Sequence, residues 1–330
     1  MDSTPKDIED IERMSLFSAQ DHNPDGVKMV RVSGEGDIAT LEHIWGTSQD
    51  ADEAAFRPRT GWWSLNAWAT NSWLLLKNGT AIGVAAIHNI PDEDDVEARL
   101  ALLPEFRQNT LALLLVDHVR LTVQTGSNIR LRIPTSSSAI WAKTALQKRN
   151  FILLRTGHMM SRAVPTSPLP LRKVEGITVR TLRKGEEATL LETLNRAWET
   201  TWNYHPIPMD ALLSDLEGNR QGFFVAVDQT DDTRMMGTIH VLFNRDADNT
   251  DDQTSAWISN LTVDPTQRGK GTGRMLMTIA LNYLHQQGAT TVTLGVDGGA
   301  VAPVSLYRSM GFEPIRTFER WELDITTAQP

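Results

Sequence analysis

Three residues recur at one spacing along this chain. Pro104, Arg107 and Phe151 return as Pro265, Arg268 and Phe312, each 161 positions on and without a gap. The patterns around them recur in the same order: a strand before the proline, a long helix after the arginine, then a strand, a short helix and a last strand at the phenylalanine. A repeat of that length means two copies of one fold in tandem. Each copy must therefore be an α/β domain. The 330 residues suffice for two such domains, and 40% hydrophobic with 22% charged residues gives each a core and a solvated surface.

The expected layout has a polar leader at 1–26, a first domain at 27–164, a proline-rich linker at 165–176 and a second domain at 177–330. Within the first domain, Asp37 is expected to cap a helix that runs to Trp45. Asn78-Gly79 reads as a hairpin turn. The tryptophans between Trp62 and Trp73 read as core or seam residues, with an aromatic cage for a cation as the other reading. Cysteine is absent, which excludes disulfides, thiolate metal sites and a cysteine nucleophile, and suits a reducing cytoplasm. The acidic N-terminus and the lack of any long apolar run argue against a signal peptide or membrane span. A formal net charge of −9 argues against nucleic acid as a partner. No metal-ligand spacing is present, so no metal is expected. The chain reads as a monomer or homodimer.

The second copy carries the chemistry. A half-apolar strand from Trp257 to Val263 runs into Asp264-Pro265, then Arg268-Gly269-Lys270-Gly271-Thr272-Gly273, then a helix expected to open near Arg274 and close at Gly288. The first amides of a helix lack intrahelical partners, and the helix dipole makes that end positive. Glycines let the backbone approach a bulky anion, and Arg268, Lys270 and Arg274 add cationic donors. A diphosphate is the natural guest. The stretch fits neither a Walker A loop nor a Rossmann turn.

The pattern of Arg268, Gly271 and Gly273 behind V-D-P resembles the acyl-CoA-binding motif of the GCN5-related N-acetyltransferase (GNAT) family. Val304-Ser305-Leu306-Tyr307-Arg308-Ser309-Met310-Gly311-Phe312 is similar to a second signature of that family. The resemblance implies two tandem GNAT folds, each a mixed, largely antiparallel sheet splayed at the acyl-CoA site and flanked by helices. It implies acetyl-CoA as cosubstrate, with its pyrophosphate on Arg268, Gly269, Lys270, Gly271, Thr272, Gly273 and Arg274. Leu261, Thr262 and Val263 would pair with its pantetheine arm, and Tyr307 would serve as general acid. Asn195-Arg196-Ala197-Trp198 and His205-Pro206 are similar to a tandem-domain branch whose members acetylate a cysteinyl amine through the C-terminal copy.

At the shared offset, Gly269, Gly271 and Gly273 correspond to Gln108, Thr110 and Ala112, Tyr307 to Leu146, and Gly311 to Asn150. The first copy is therefore expected to be catalytically silent. With no nucleophile motif, direct acetyl transfer to the primary amine of a small molecule is the simplest chemistry. A general base is open: His240 is the leading candidate, beside His205, Asp297 and a water held by Ser259 or Asn260, and Trp257 stands where a glutamate is common in the family. A non-catalytic acyl-CoA sensor and a protein N-acetyltransferase are the alternative functions.

Overall fold

The computed structural model describes residues 26–52, 71–89, 95–123, 130–202, 204, 206–243 and 255–325. All of the expected leader but Gly26, residues 62–68, most of the acidic connection at 91–97, all of that at 246–252, and His205 fall outside the described residues.

The chain forms two compact units, one of residues 1–156 with 316–330 and the other of residues 157–315. The first contains β1 (Val27–Arg31), α1 (Glu35–Ala51), β2 (Ser72–Lys77), β3 (Thr80–Asn89), β4 (Asp95–Leu102), α2 (Asn109–Val123), β5 (Arg130–Ser136) and α3 (Ile140–Lys148). Then come β6 (Ile152–Ala163), β7 (Ile177–Thr181), α4 (Glu187–Trp198), α5 (Met209–Asn219), β8 (Phe223–Asp228), β9 (Met235–Phe243) and β10 (Ser255–Val263). The chain ends with α6 (Thr272–Gln286), β11 (Thr291–Asp297), α7 (Val301–Ser309) and β12 (Glu313–Asp324). No described helix is long and apolar enough to cross a membrane.

The strand order is β1-β2-β3-β4-β5-β12 in the first unit and β7-β8-β9-β10-β11-β6 in the second. Each sheet is antiparallel except for one parallel pair, β4 with β5 and β10 with β11. Helices cover both faces. In the first unit Leu41, Ile44 and Trp45 of α1 pack on one face, and Leu111, Leu115 and Leu146 of α2 and α3 on the other. In the second, Leu190, Leu194, Leu212 and Leu216 of α4 and α5 cover one face, and Leu276, Ala280, Leu284 and Tyr307 of α6 and α7 the other.

The repeat holds element by element. Residues 130–136 of β5 become 291–297 of β11, 140–148 of α3 become 301–309 of α7, and 152–163 of β6 become 313–324 of β12. The closing strands, however, are exchanged. β12 pairs with β5, from Phe318↔Ser136 to Asp324↔Arg130, and sends Trp321 into the first unit's core. β6 pairs with β11, from Thr291↔Ala163 to Asp297↔Gly157, and sends Met160 into the second unit's core. The compact units thus differ from the expected division at 164 and 177.

Two helix starts differ from expectation for local reasons. α1 begins two residues before Asp37, with Gly34 as its cap residue, because the Asp37 carboxylate accepts from Ser33 N and Ser33 Oγ at 2.9 and 3.1 Å. It continues past Trp45 because Ser48 also lies on the buried face. α6 begins at Thr272, since only Gly269 and Gly271 take positive φ.

Candidate active site

The second unit's sheet opens where the sequence places its chemistry. β10 runs parallel to β11 from Ser255↔Thr291 to Ile258↔Leu294, and pairing stops there although both strands continue. A V therefore opens between residues 259–263 and 295–297. On its other edge β10 carries one residue more than β9 between Ser259↔His240 and Thr262↔Thr238. Asn260 occupies that bulge at φ +52, a conformation that asparagine tolerates better than most residues. The buried Thr238 hydroxyl pins it, donating to Asn260 O at 2.7 Å and lying 2.8 Å from Thr262 Oγ1. Gly237 is required beside it, because a Cβ there would meet Thr262 O at 2.7 Å.

The V leads into the glycine turn. The Asp264 carboxylate accepts from Thr266 N at 2.9 Å and from Arg196 Nε at 3.1 Å, and so fixes the exit from β10. Burial alone would raise this carboxyl, but those bonds hold it below its ordinary value. Gly269 and Gly271 follow at φ +78 and +98, and α6 starts with Gly271 as its cap. In the first unit the equivalent stretch is already helical, because α2 begins at Asn109, the counterpart of Lys270. The two positive-φ glycines therefore unwind the first helical residues and leave the amides of Thr272, Gly273 and Arg274 at an open helix end. Thr272 Oγ1 is buried there without a hydrogen-bond partner. Beside the turn lies a cleft of about 630 Å³, lined among others by Lys270, Gly271, Arg274, Thr278, Arg172 and Lys173. Four cations against one acid, Glu175, give its lining a charge that suits an anion. Arg172 and Lys173 belong to the supposed linker. Sequence reasoning missed them, and the only signal was a basic pair within a proline-rich stretch.

Arg268 is placed differently from the expected phosphate donor. Its Nε donates to Val263 O at 3.3 Å and its Nη2 to Ala197 O at 2.7 Å. Arg107, its counterpart, donates from Nε to Leu102 O at 3.3 Å and from Nη2 to Ser48 O at 3.1 Å. The first copy keeps this clasp without the glycines, so the clasp belongs to the fold. The neighbouring motif serves the same frame. Asn195 accepts from Ile207 N at 2.8 Å and donates to Ile207 O, and Arg196 pairs with Asp264.

Tyr307 lies on α7 at 7% exposure, edge-on to Phe312, in one apolar cluster with Val296 of β11 and Leu261 of β10. Burial pushes its phenol up to about 12, so it holds its proton at neutral pH. His240 is fully buried, its ring 4.6 Å from that of Phe223 and its Nε2 3.1 Å from Asn219 O. Burial lowers its pKa and leaves it neutral. It pairs with Ser259 in the ladder but does not face an acceptor from solvent. Asp297 Oδ1 accepts from Gly299 N at 3.0 Å in the turn before α7. Among the described residues no group of three or more His, Cys, Asp or Glu could hold a metal.

Residues 188–312 match the family model described as acetyltransferase (GNAT) family. A protein named mycothiol acetyltransferase, from Catenulispora acidiphila, is 25% identical over 310 residues, covering 87% of this chain and 95% of its own. A GCN5-related N-acetyltransferase from Sphaerobacter thermophilus superposes with a TM-score of 0.73 at 19% identity, over 92% of this chain and 97% of its own. A tandem GNAT protein from the clavulanic acid biosynthesis pathway superposes with a TM-score of 0.65 at 13% identity, over 92% and 100%.

Proposed function

We propose that this chain, an acetyltransferase whose second half carries a GNAT domain, moves the acetyl group of acetyl-CoA directly to the primary amine of a small molecule. The observation that carries this reading is the junction of the β10–β11 V with a glycine-opened helix start. One opening accepts an extended chain beside strand backbone, and the other accepts a diphosphate.

Acetyl-CoA supplies the acyl group as an activated thioester. The amides of residues 272–274 and the side chains of Lys270 and Arg274 would hold its diphosphate. Backbone of Leu261, Thr262 and Val263 would line its pantetheine arm. A main-chain N–H near the bulge, at Leu261 or Val263, would donate to the acyl oxygen as that oxygen gains negative charge. The amine nitrogen bonds to the acyl carbon as the carbon–sulfur bond breaks. The Tyr307 phenol gives its proton to the departing sulfur, and solvent takes the proton the amine sheds. His240 serves packing in this scheme, because an amine that arrives neutral needs no base. Arg268 holds the loop and α4 together.

The name carried by the relatives, with the cysteinyl amine that the sequence resemblance implies, makes the amine of a mycothiol-type precursor the first acceptor to try. The test is incubation with acetyl-CoA and a panel of small amines, with CoA release and acetylated product both followed by mass spectrometry. Product equal to CoA released supports transfer. CoA release without acetylated amine, or tight binding with neither, would overturn it in favour of a thioesterase or a sensor.

A further inference from the structure

The segment between the repeats is fastened to α6 at one end and to the sheet at the other. The Asn282 side chain accepts from Leu169 N at 2.7 Å and donates to Leu169 O at 3.0 Å. Seven residues on, Gly176 turns at φ +73 and its carbonyl accepts from Gln229 N at 2.9 Å, while Val174 O accepts from Ile177 N. Prolines at 165, 168 and 170 stiffen the approach. Between these anchors Val174 comes to rest beside Gly271, where its Cγ2 lies 3.6 Å from the place a Cβ would take.

This strap forms the outer wall of the cleft at the start of α6. Arg172 and Lys173 stand on it opposite Lys270 and Arg274, with Glu175 as the single acid of the lining. Arg172, Lys173 and Lys270 are exposed and make no ion pair with any described residue. The cleft extends along α6 from Gly271 to Thr278, about 10 Å of helix, and no residue of β10 or β11 lines it. It is thus the nucleotide end of the site and not the thioester end. A diphosphate on the helix amides has Lys270 and Arg274 beside it, Arg274 also donating to Ser309 Oγ at 2.5 Å, and the strap adds two further cations.

We propose that Arg172 and Lys173 bind the 3′-phosphate of the carrier's ADP end and so select CoA over carriers that lack it. The inference rests on the reading of acetyl-CoA as donor. A nucleotide continuing from the helix start would lie along the strap, and a dianionic monoester there meets two unpaired cations. The linker between the repeats is then part of the donor site.

Calorimetry with acetyl-CoA and with 3′-dephospho-acetyl-CoA tests this, on the wild type and on the double variant Arg172→Ala, Lys173→Ala. Both residues are exposed, so the variant should melt as the wild type does. The wild type should bind acetyl-CoA at least about tenfold more tightly than the dephospho form, the worth of one charge-assisted contact. In the double variant that gap should close through weaker acetyl-CoA binding alone. A gap that persists, or equal losses for both ligands, overturns the inference and spares the donor reading. Equal binding of both ligands by the wild type does the same. Wild type that binds neither ligand removes the donor reading and this inference with it.

Discussion

At the scale of single residues, burial separates two side chains that the sequence offers as a pair. Tyr307 and His240 are both inside, and burial pushes each toward its neutral form. Neutral is the useful form for an acid, and the histidine, wholly buried, is shut off from an acceptor in solvent. Tyr307→Phe should therefore lower kcat by about a hundredfold, the usual size of a general-acid contribution, and leave acetyl-CoA affinity within twofold or so. Intact turnover would remove the acid assignment. The phenol also predicts an alkaline effect. Its folded pKa of about 12 lies above the ordinary 10. The folded state's preference for the protonated ring thus holds fully below pH 10 and is lost as pH rises toward 12. Urea midpoints of the wild type should fall over that window more steeply than those of Tyr307→Phe.

Arg268 is the residue for which the motif and the structure part. The sequence presents a cation beside a glycine-rich turn, and the guanidinium instead reaches two carbonyls, as Arg107 does in the copy whose turn lacks those glycines. Arg268→Lys keeps the charge and loses the planar fork. It should cost about 1–2 kcal/mol of stability, on the order of one or two hydrogen bonds, and weaken acetyl-CoA binding only through the loosened loop. Thermal melts and calorimetry on the same sample distinguish this from a direct ligand, whose loss would leave the melt unchanged and abolish binding.

At the scale of elements, a comparison inside one chain shows what the glycines do. Where the second copy has Gly269 and Gly271 at positive φ, the first has Gln108 and Thr110, and its helix starts earlier. Gly273 matches Ala112, which is wholly buried, so the fold accepts a methyl there. Gly311 matches Asn150, and both turn the chain in the left-handed region, at φ +83 and +63, so that difference leaves the turn unchanged. Gly271→Glu should abolish acetyl-CoA binding, because it adds a strained φ and a negative charge at the helix start. Gly273→Ala should leave binding within a few-fold, since a Cβ there meets the end of Leu306 at 3.3 Å and that side chain can yield. Calorimetry on the pair checks both.

The same elements mark what the sequence could and could not disclose. Strand and helix order and the glycine turn at 268–273 are local patterns of period and turn chemistry, legible residue by residue, whereas Tyr307 is singled out only by the family resemblance. The bulge at Asn260 is not, because it depends on which strand pairs with which. The wall made by Arg172 and Lys173 is not either, since nothing local to a proline-rich segment says where it comes to rest.

At the scale of the whole molecule, the exchanged strands decide how the two repeats depend on each other. Trp321, on the last strand of the second repeat, is 4% exposed in the first unit's core, and its indole N–H reaches Glu319, which pairs with Lys143 of α3 at 2.9 Å. Met160, on the last strand of the first repeat, is wholly buried in the second unit. Each core therefore includes a strand encoded beyond the 165–176 segment from the rest of its sheet. A chain cut there into residues 1–168 and 169–330 yields two fragments, each with an open edge on β5 or β11. Neither should fold alone, and mixing the two should restore circular dichroism and melting as a one-to-one complex. Trp321→Ala in the intact chain should cost about 3–5 kcal/mol through the cavity it leaves, although the residue belongs by sequence to the second repeat. The readout that tells exchange from simple tandem domains is hydrogen exchange on that variant. Exchange predicts that amides of β5 and α3 lose protection first, whereas loss confined to α6 and β11 would mean that β12 completes its own repeat.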